Sequence, residues 1–100
     1  MRKVLILCVL ILASCAKNNE VKQVAELSCG QCKFEIEEPL GCDLAVKIDG
    51  KAYFIDGAHI DDFGDAHDIN LGFCNVIRKA NVVGKIEEGR FKATSIKLIE

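Results

Sequence analysis

The amino-acid sequence predicts a small, mainly β domain with one short helix, in the order β-β-β-α-β-β. Two β-rich runs flank Asp49-Gly50, a second pair flanks Glu88-Gly89, and helically spaced apolar residues lie between the pairs. With a further strand at about residues 21–28, this is the order of the oligonucleotide/oligosaccharide-binding (OB) barrel. We therefore predict a small OB-like barrel. An open α+β sheet with the same elements is the alternative, because sequence pattern does not show whether a sheet closes.

The first hairpin is the clearest local signal in the chain. Residues 42–48 and 51–56 are rich in β-forming side chains, and Asp49-Gly50 suits a two-residue turn. Such a turn pairs Ile48 with Lys51, Val46 with Tyr53, and Leu44 with Ile55. Alternation then places five side chains on one face, which we predict to be the core face: Leu44, Val46, Ile48, Tyr53 and Ile55.

A second hairpin is predicted from residues 82–87 and 90–99, joined through Glu88-Gly89. Glycine suits the left-handed position of a bulged turn. In the outgoing strand Phe91, Ala93 and Ser95 share one parity, whereas Ile96 and Leu98 fall on the other. This change of phase predicts a β-bulge in that strand.

The single helix is predicted between the hairpins, over residues 70–80. Phe73, Val76, Ile77 and Ala80 stand at i, i+3, i+4 and i+7, the spacing of one helix face. Asn70 suits the N-cap, and basic residues at 78 and 79 favour the C-terminal end of the helix dipole.

The N-terminus has the pattern of a lipoprotein signal peptide. A short basic segment, Met1-Arg2-Lys3, precedes an apolar run that is too short to span a bilayer, and the run ends in Leu12-Ala13-Ser14-Cys15. We identify this ending as a lipobox. The predicted organisation is a signal peptide at 1–14, lipidated Cys15 with a short tether at 15–20, and one domain at 21–100. The protein is then anchored to the bilayer through Cys15 in the cell envelope, facing the periplasm.

Processing changes the charge that matters for partners. Loss of the signal removes Arg2 and Lys3 but no acidic residue, so the formal charge falls from −2 to −4. An acidic domain disfavours nucleic acid as a partner. The remaining 86 residues are near the lower size at which a hydrophobic core suffices, so cross-links or a metal ion would add stability.

Four cysteines remain for the folded domain: Cys29 and Cys32 in a Cys-Gly-Gln-Cys motif, Cys42, and Cys74. In an oxidising envelope, two structural disulfides are the leading interpretation, with three possible connectivities and no cofactor. A site for Zn²⁺ or Cu⁺ formed by the four thiolates is the alternative. A third interpretation is thiol-disulfide exchange at Cys29 and Cys32. It requires a helix N-terminus after the motif, whereas Lys33-Phe34-Glu35-Ile36-Glu37 alternates like a strand.

Residues 56–68 carry five aspartates and two histidines with no basic residue. A solvated acidic loop before the predicted helix explains most of them. His67, seven residues before Cys74, is a further candidate metal ligand, and His59 is a second candidate.

Together with the lipobox, four motifs resemble an uncharacterised family of short Gram-negative lipoproteins: Cys-Gly-Gln-Cys-Lys-Phe, Gly-Cys-Asp-Leu-Ala-Val-Lys-Ile-Asp-Gly-Lys, Gly-Asp-Ala-His and Gly-Phe-Cys-Asn-Val-Ile-Arg-Lys-Ala. The resemblance covers nearly the whole chain and implies a membrane-anchored envelope protein, but it implies no activity.

No arrangement of residues points to hydrolytic or nucleophilic catalysis, so we expect no enzyme. The leading functional hypothesis is a noncatalytic, disulfide-stabilised module that binds an unknown envelope protein or small ligand. The alternatives are a metal-binding lipoprotein and a membrane-tethered thiol oxidoreductase.

Overall fold

The protein was analysed as a computed structural model that describes residues 20–99. It contains strands β1 (Glu20–Cys29), β2 (Leu44–Ile48), β3 (Lys51–Asp56), β4 (Arg78–Glu87) and β5 (Arg90–Leu98), a four-residue helix α1 (Gly30–Lys33), and a 3-10 turn (Ile60–Phe63). The predicted signal peptide and Cys15 lie outside the described residues. Within residues 20–99, no helix has the length and apolar character needed to cross a membrane.

The five strands form a closed barrel in the order β1-β2-β3-β5-β4, with β4 paired back to β1. Neighbouring strands are antiparallel except β3 and β5, which are parallel. This confirms the predicted mainly β, OB-like barrel, and the open-sheet alternative was wrong. Closure depends on a short seam between β3 and β5, which pair at two positions, Ile55 with Phe91 and Asp56 with Lys92.

The first hairpin has the predicted register, with Ile48 opposite Lys51 and Val46 opposite Tyr53. Asp49 and Gly50 both have positive φ, 52° and 84°, as a two-residue turn between twisted strands requires. The predicted core face is also confirmed. Four of its five side chains are buried and Tyr53 packs against them partly buried; the buried four are Leu44, Val46, Ile48 and Ile55.

The second hairpin turns at Glu88-Gly89 as predicted, but through a two-residue turn with Glu87 opposite Arg90, so the bulged turn was wrong. Its outgoing strand contains the predicted irregularity. Val83 pairs with Ser95 but Gly84 pairs with Ala93, so Thr94 is the extra residue of a bulge. The bulge changes the face on which the following side chains lie, which explains the change of parity in the sequence. The incoming strand begins at Arg78, four residues earlier than expected.

The predicted helix over residues 70–80 is wrong. Residues 69–75 form turns, residues from Arg78 onward are in β4, and the only α-helix among the described residues is α1. The apolar residues with helical spacing do not share one buried face. Phe73 is buried and Ala80 is buried within a strand, whereas Ile77 is 44% exposed. Tertiary contacts of Phe73 have therefore overridden a local periodicity.

The barrel interior is filled by side chains from the strands and from the segment before β4. The largest fully buried side chains are Phe73, Phe91, Leu27, Val46 and Val82. Phe73 is the one among these that does not belong to a strand. It brings the segment that contains Cys74 onto the end of β1, where the backbone N–H of Cys29 donates to the Phe73 carbonyl oxygen at 3.1 Å.

An ion-pair network holds the parallel seam between β3 and β5. This seam has two paired positions, Ile55 with Phe91 and Asp56 with Lys92. The Asp56 carboxylate accepts from Arg90 Nε at 2.8 Å and from Lys92 Nζ at 2.6 Å. The hydrogen bonds from Lys92 and Arg90 lower the pKa of Asp56, and the bond to Asp56 raises the pKa of Lys92.

We expect Asp56→Asn to lower the free energy of unfolding in a pH-dependent way. The folded-state pKa of Asp56 lies below its ordinary 3.8, so its stabilisation is present above that value and is lost as pH falls through the lower folded pKa. At the alkaline end, the raised Lys92 pKa keeps the pair intact up to at least 10.5. Urea unfolding at pH 7 and pH 2.5 should show the difference from wild type shrinking at the lower pH. Asp49→Asn, which removes a carboxylate from the hairpin turn, is the matched control; an equal loss in both variants would contradict the prediction.

Candidate metal centre

The fold brings together the four cysteines that the sequence singled out. Cys29 ends β1, Cys32 lies in α1, Cys42 precedes β2, and Cys74 lies in the turns before β4. Their Sγ atoms all lie within 4.8 Å of one another. Residues up to 45 positions apart in the sequence thus converge at one end of β1.

Cys42 lies between two of the other sulphur atoms. Its Sγ is 2.8 Å from Cys29 Sγ and 2.7 Å from Cys74 Sγ, and all four thiols are free. These separations exceed the disulfide bond length of about 2.05 Å. They are shorter than van der Waals contact between two sulphur atoms. Four thiolates around a tetrahedral Zn²⁺ at about 2.3 Å would have edges of about 3.8 Å, so small outward shifts would admit an ion.

The Cys-Gly-Gln-Cys motif is a strand end followed by one helical turn. The strand expected at residues 33–37 is absent: α1 covers Gly30–Lys33, and Glu35 has a positive φ of 60°. Close packing explains why glycine stands at position 30. A Cβ there would lie 2.7 Å from the Phe54 ring and 3.1 Å from Ala45 Cβ. A side chain at position 30 would therefore push α1 away from β2 and β3.

Gln31 holds the loop that carries Cys42. Its Nε2 donates to the Pro39 carbonyl oxygen and to Asp43 Oδ2, each at 2.8 Å. Its Oε1 accepts from the Asp43 backbone N–H at 2.9 Å and lies 3.6 Å from Cys29 Sγ. The sequence analysis did not select Gln31. The available signal was its position inside the motif, but its partners are too distant in sequence to be inferred.

We expect Gln31→Ala to lower the free energy of unfolding by about 1–2 kcal/mol, because three hydrogen bonds between α1 and the Cys42 loop are lost. Gln23→Ala is the matched control, since Gln23 is an exposed glutamine of β1. Its substitution should change stability by less than about 0.5 kcal/mol. Urea unfolding of both variants measures the difference, and equal effects would exclude the proposed role of Gln31.

The Cys74 segment is fixed to β1 through backbone groups. Ser28 Oγ lies 2.7 Å from the carbonyl oxygens of both Phe73 and Val76, and it is buried. The Cys74 backbone N–H donates to the Ala66 carbonyl oxygen at 2.9 Å. The single Ser28 hydroxyl proton can be donated to either carbonyl oxygen, and the Phe73 carbonyl also accepts from the Cys29 N–H. Like Gln31, Ser28 was not selected from the sequence.

The thiols differ in exposure and in acidity. Cys29 is fully buried, Cys42 and Cys74 are partly buried, and Cys32 is exposed. Burial raises the pKa of Cys29, but hydrogen bonds from Cys42, from Cys32 and from the backbone of Cys32 and Gln31 together lower it by more. The pKa of Cys29 therefore lies below its ordinary value. The bond from Cys32 to Cys29, burial, and the charges of Cys29 and Cys74 raise the pKa of Cys32 to about 11. Burial and the bonds to Cys29 and Cys74 raise the pKa of Cys42.

The two histidines do not belong to this cluster. Among residues 20–99, the group of side chains close enough to share an ion contains only the four cysteines. The His67 side chain is 84% exposed, with Nδ1 3.8 Å from Asp65. His59 Nδ1 accepts from the Asp61 backbone N–H at 3.2 Å and helps to cap the 3-10 turn. The acidic loop thus uses several of its side chains in local turns.

Residues 23–99 match the model of a protein family of unknown function, DUF6370, and the chain belongs to that family. No curated protein and no solved structure matches the chain significantly. The family match agrees with the resemblance to an uncharacterised family and adds no activity.

Proposed function

We propose that this member of a family of unknown function binds one thiophilic metal ion through Cys29, Cys32, Cys42 and Cys74, as a lipid-anchored protein of the cell envelope. Four cysteine ligands favour Zn²⁺, which prefers a closed tetrahedral set of thiolates. Cu⁺ is the second ion that such soft ligands select. The proposed activity is binding and not catalysis.

The convergence of all four Sγ atoms within 4.8 Å carries the proposal. A tetrahedral ion requires every ligand to meet at one point. Two disulfides require only that the sulphurs meet in pairs, and Cys42 is nearly equidistant from Cys29 and Cys74. Disulfide pairing, the leading hypothesis from sequence, therefore becomes the second candidate: it is supported by the short separations but has no preferred partner for Cys42.

Thiol-disulfide exchange has weaker support. A helical turn follows Cys29, but an exchange reaction requires the attacking sulphur to reach its substrate. Cys29 is fully buried, and the more accessible Cys32 has the raised pKa. A binding module with a metal site accounts for the burial of the cluster better than an oxidoreductase.

The test is to express residues 16–100, purify the protein with its thiols reduced, and measure metal content, free thiols and intact mass. We expect one bound Zn²⁺ per chain after exposure to Zn²⁺, with four free thiols on denaturation. His67→Ala is the control and should bind the same amount. The same wild-type protein is also purified from an oxidising compartment. If it is four hydrogens lighter than the all-thiol chain and binds no metal even after reduction, the metal site is excluded and the disulfides are favoured.

The proposed tether would join β1 at the end opposite the four cysteines. If Cys15 carries the lipid, the tether ends at Glu20, where β1 begins, and the cysteines lie at the other end of this ten-residue strand. At about 3.3 Å per residue, β1 separates the end of the tether from the cysteines by up to about 30 Å. The metal centre would then lie at the end of β1 opposite the tether, where an envelope protein or small ligand can reach it.

For the anchor, we expect Cys15→Ala to abolish incorporation of labelled palmitate and to leave the protein unprocessed or released from the membrane fraction. Cys8→Ala, a change inside the predicted signal, should leave labelling intact. Unchanged labelling of the Cys15→Ala protein would refute lipidation at this position while leaving the metal site untested by that result.

A further inference from the structure

The four proposed ligands are unequally held, and this inequality assigns them different roles. We infer that Cys32 is the exchangeable ligand, through which the ion passes to an acceptor that offers a thiolate. The inference rests on the proposed metal binding and extends it from storage or structural support to transfer.

Three of the cysteines are tied into the barrel. Cys29 belongs to β1 and is fully buried, with its N–H bonded to Phe73. Cys74 follows the buried Phe73 and is bonded to Ala66. Cys42 has its sulphur between those of Cys29 and Cys74, and the next residue, Asp43, is clamped by Gln31. The buried Cys29 sulphur and the half-buried sulphurs of Cys42 and Cys74 have less free space to rotate away from the cluster than a sulphur at the surface.

Cys32 differs from the other three in its exposure, although its neighbour Gln31 is bonded to the Cys42 loop and its thiol is hydrogen-bonded to Cys29. It is exposed, it lies in the third position of the four-residue α1, and its sulphur nevertheless reaches the cluster. Rotation of one exposed side chain would withdraw it, at a cost much smaller than the disruption of a packed segment. Cys29, Cys42 and Cys74 would retain the ion as a three-coordinate set while the fourth position is open.

An open cavity of about 490 Å³ adjoins the motif and provides space for an acceptor. It lies between α1 and the loop before Cys42, and its lining residues are Gln31, Glu35, Ile36, Glu37, Leu40 and Gly41. Gln31 and Gly41 are the sequence neighbours of Cys32 and Cys42. Leu40 is 92% exposed, so the rim offers an apolar contact beside the site.

The exchange step balances without an oxidant or reductant. The bond between the ion and Cys32 Sγ would break as a bond to the acceptor sulphur forms, which would leave the ion shared by Cys29, Cys42, Cys74 and the acceptor; the same exchange at each of these three thiolates would complete the transfer. The acceptor thiol loses its proton, and the released Cys32 thiolate takes up one proton. The charge of the ion is unchanged. Exchange of one thiolate for another keeps the ligand type that Zn²⁺ and Cu⁺ prefer.

The test compares four single cysteine-to-serine variants of residues 16–100 by Zn²⁺ titration against a chromogenic chelator. We expect Cys32→Ser to bind one ion with about tenfold weaker affinity, whereas Cys29→Ser, Cys42→Ser and Cys74→Ser each lose on the order of a hundredfold or more. Circular dichroism of the metal-free variants checks that each is folded. In parallel, alkylation of the zinc-loaded wild type by iodoacetamide should modify Cys32 first, with the ion still bound.

The outcomes separate this inference from the proposed function. A wild-type protein that binds no metal would overturn both. A wild type that binds one ion, with equal losses in all four variants or with alkylation starting at another cysteine, would overturn the role of Cys32 alone. Transfer to the acceptor is measured as release of Zn²⁺ that accelerates with dithiothreitol concentration in wild type; a rate independent of the thiol would also overturn it.

Discussion

Removing the metal ion from the loaded protein should cause a large loss of stability. The four proposed ligands lie in β1, in α1, before β2 and in the turns before β4, so one ion would join four segments spread over residues 29–74. Free Zn²⁺ at a thousand times the dissociation constant stabilises a folded state by about 4 kcal/mol. For a domain of this size, that corresponds to a fall in melting temperature of roughly 15–30 °C on addition of a chelator. Differential scanning calorimetry with and without chelator measures it.

The control is Cys42→Ser, which removes the sulphur that lies between two of the others. Its melting temperature with Zn²⁺ should be lower than that of wild type and should respond much less to the chelator, because its weaker binding contributes less stabilisation at the same Zn²⁺ concentration. A wild-type protein that binds Zn²⁺ but melts at the same temperature with and without chelator would show that the ion does not join these segments.

Phe73→Ala should have the second large effect. The ring is 2% exposed, makes an edge-to-face contact with Phe63 at 5.8 Å between ring centres, and lies beneath the Arg78 guanidinium at 5.6 Å. Truncating a buried phenylalanine usually costs about 3–5 kcal/mol, from lost burial and the cavity left behind. Because Cys74 follows Phe73 directly, we also expect weaker Zn²⁺ binding. Urea unfolding and Zn²⁺ titration of the variant measure the two effects.

Phe91→Ala separates these two effects. Phe91 is equally buried, but it lies in β5, which carries none of the four cysteines. It should lose similar stability and keep the Zn²⁺ affinity of wild type at a temperature where the variant is folded. Equal loss of affinity in both variants would mean that general destabilisation, and not the position of Cys74, controls binding.

Local chemistry explains what could be predicted from the sequence. Asp49-Gly50 and Glu88-Gly89 adopt the positive φ angles of two-residue turns, and each turn fixes the register of its hairpin. Alternation identified the buried face that includes Val46 and Ile48, and its interruption identified the bulge at Thr94. These features depend on residues within a few positions of one another, so a single sequence contains them.

The sequence by itself thus determined the strands, the hairpins, the bulge and the four cysteines as the residues of interest, while barrel closure and the grouping of those cysteines were decided by the tertiary structure. Phe73 shows why: its spacing predicted a helix, but burial in the barrel and hydrogen bonds from Ser28 and Cys29 to its carbonyl group fix it in a turn. The same contacts bring Cys74 to Cys42. Contacts between residues that are 30 to 45 positions apart depend on how the strands pack, and no local pattern encodes that packing.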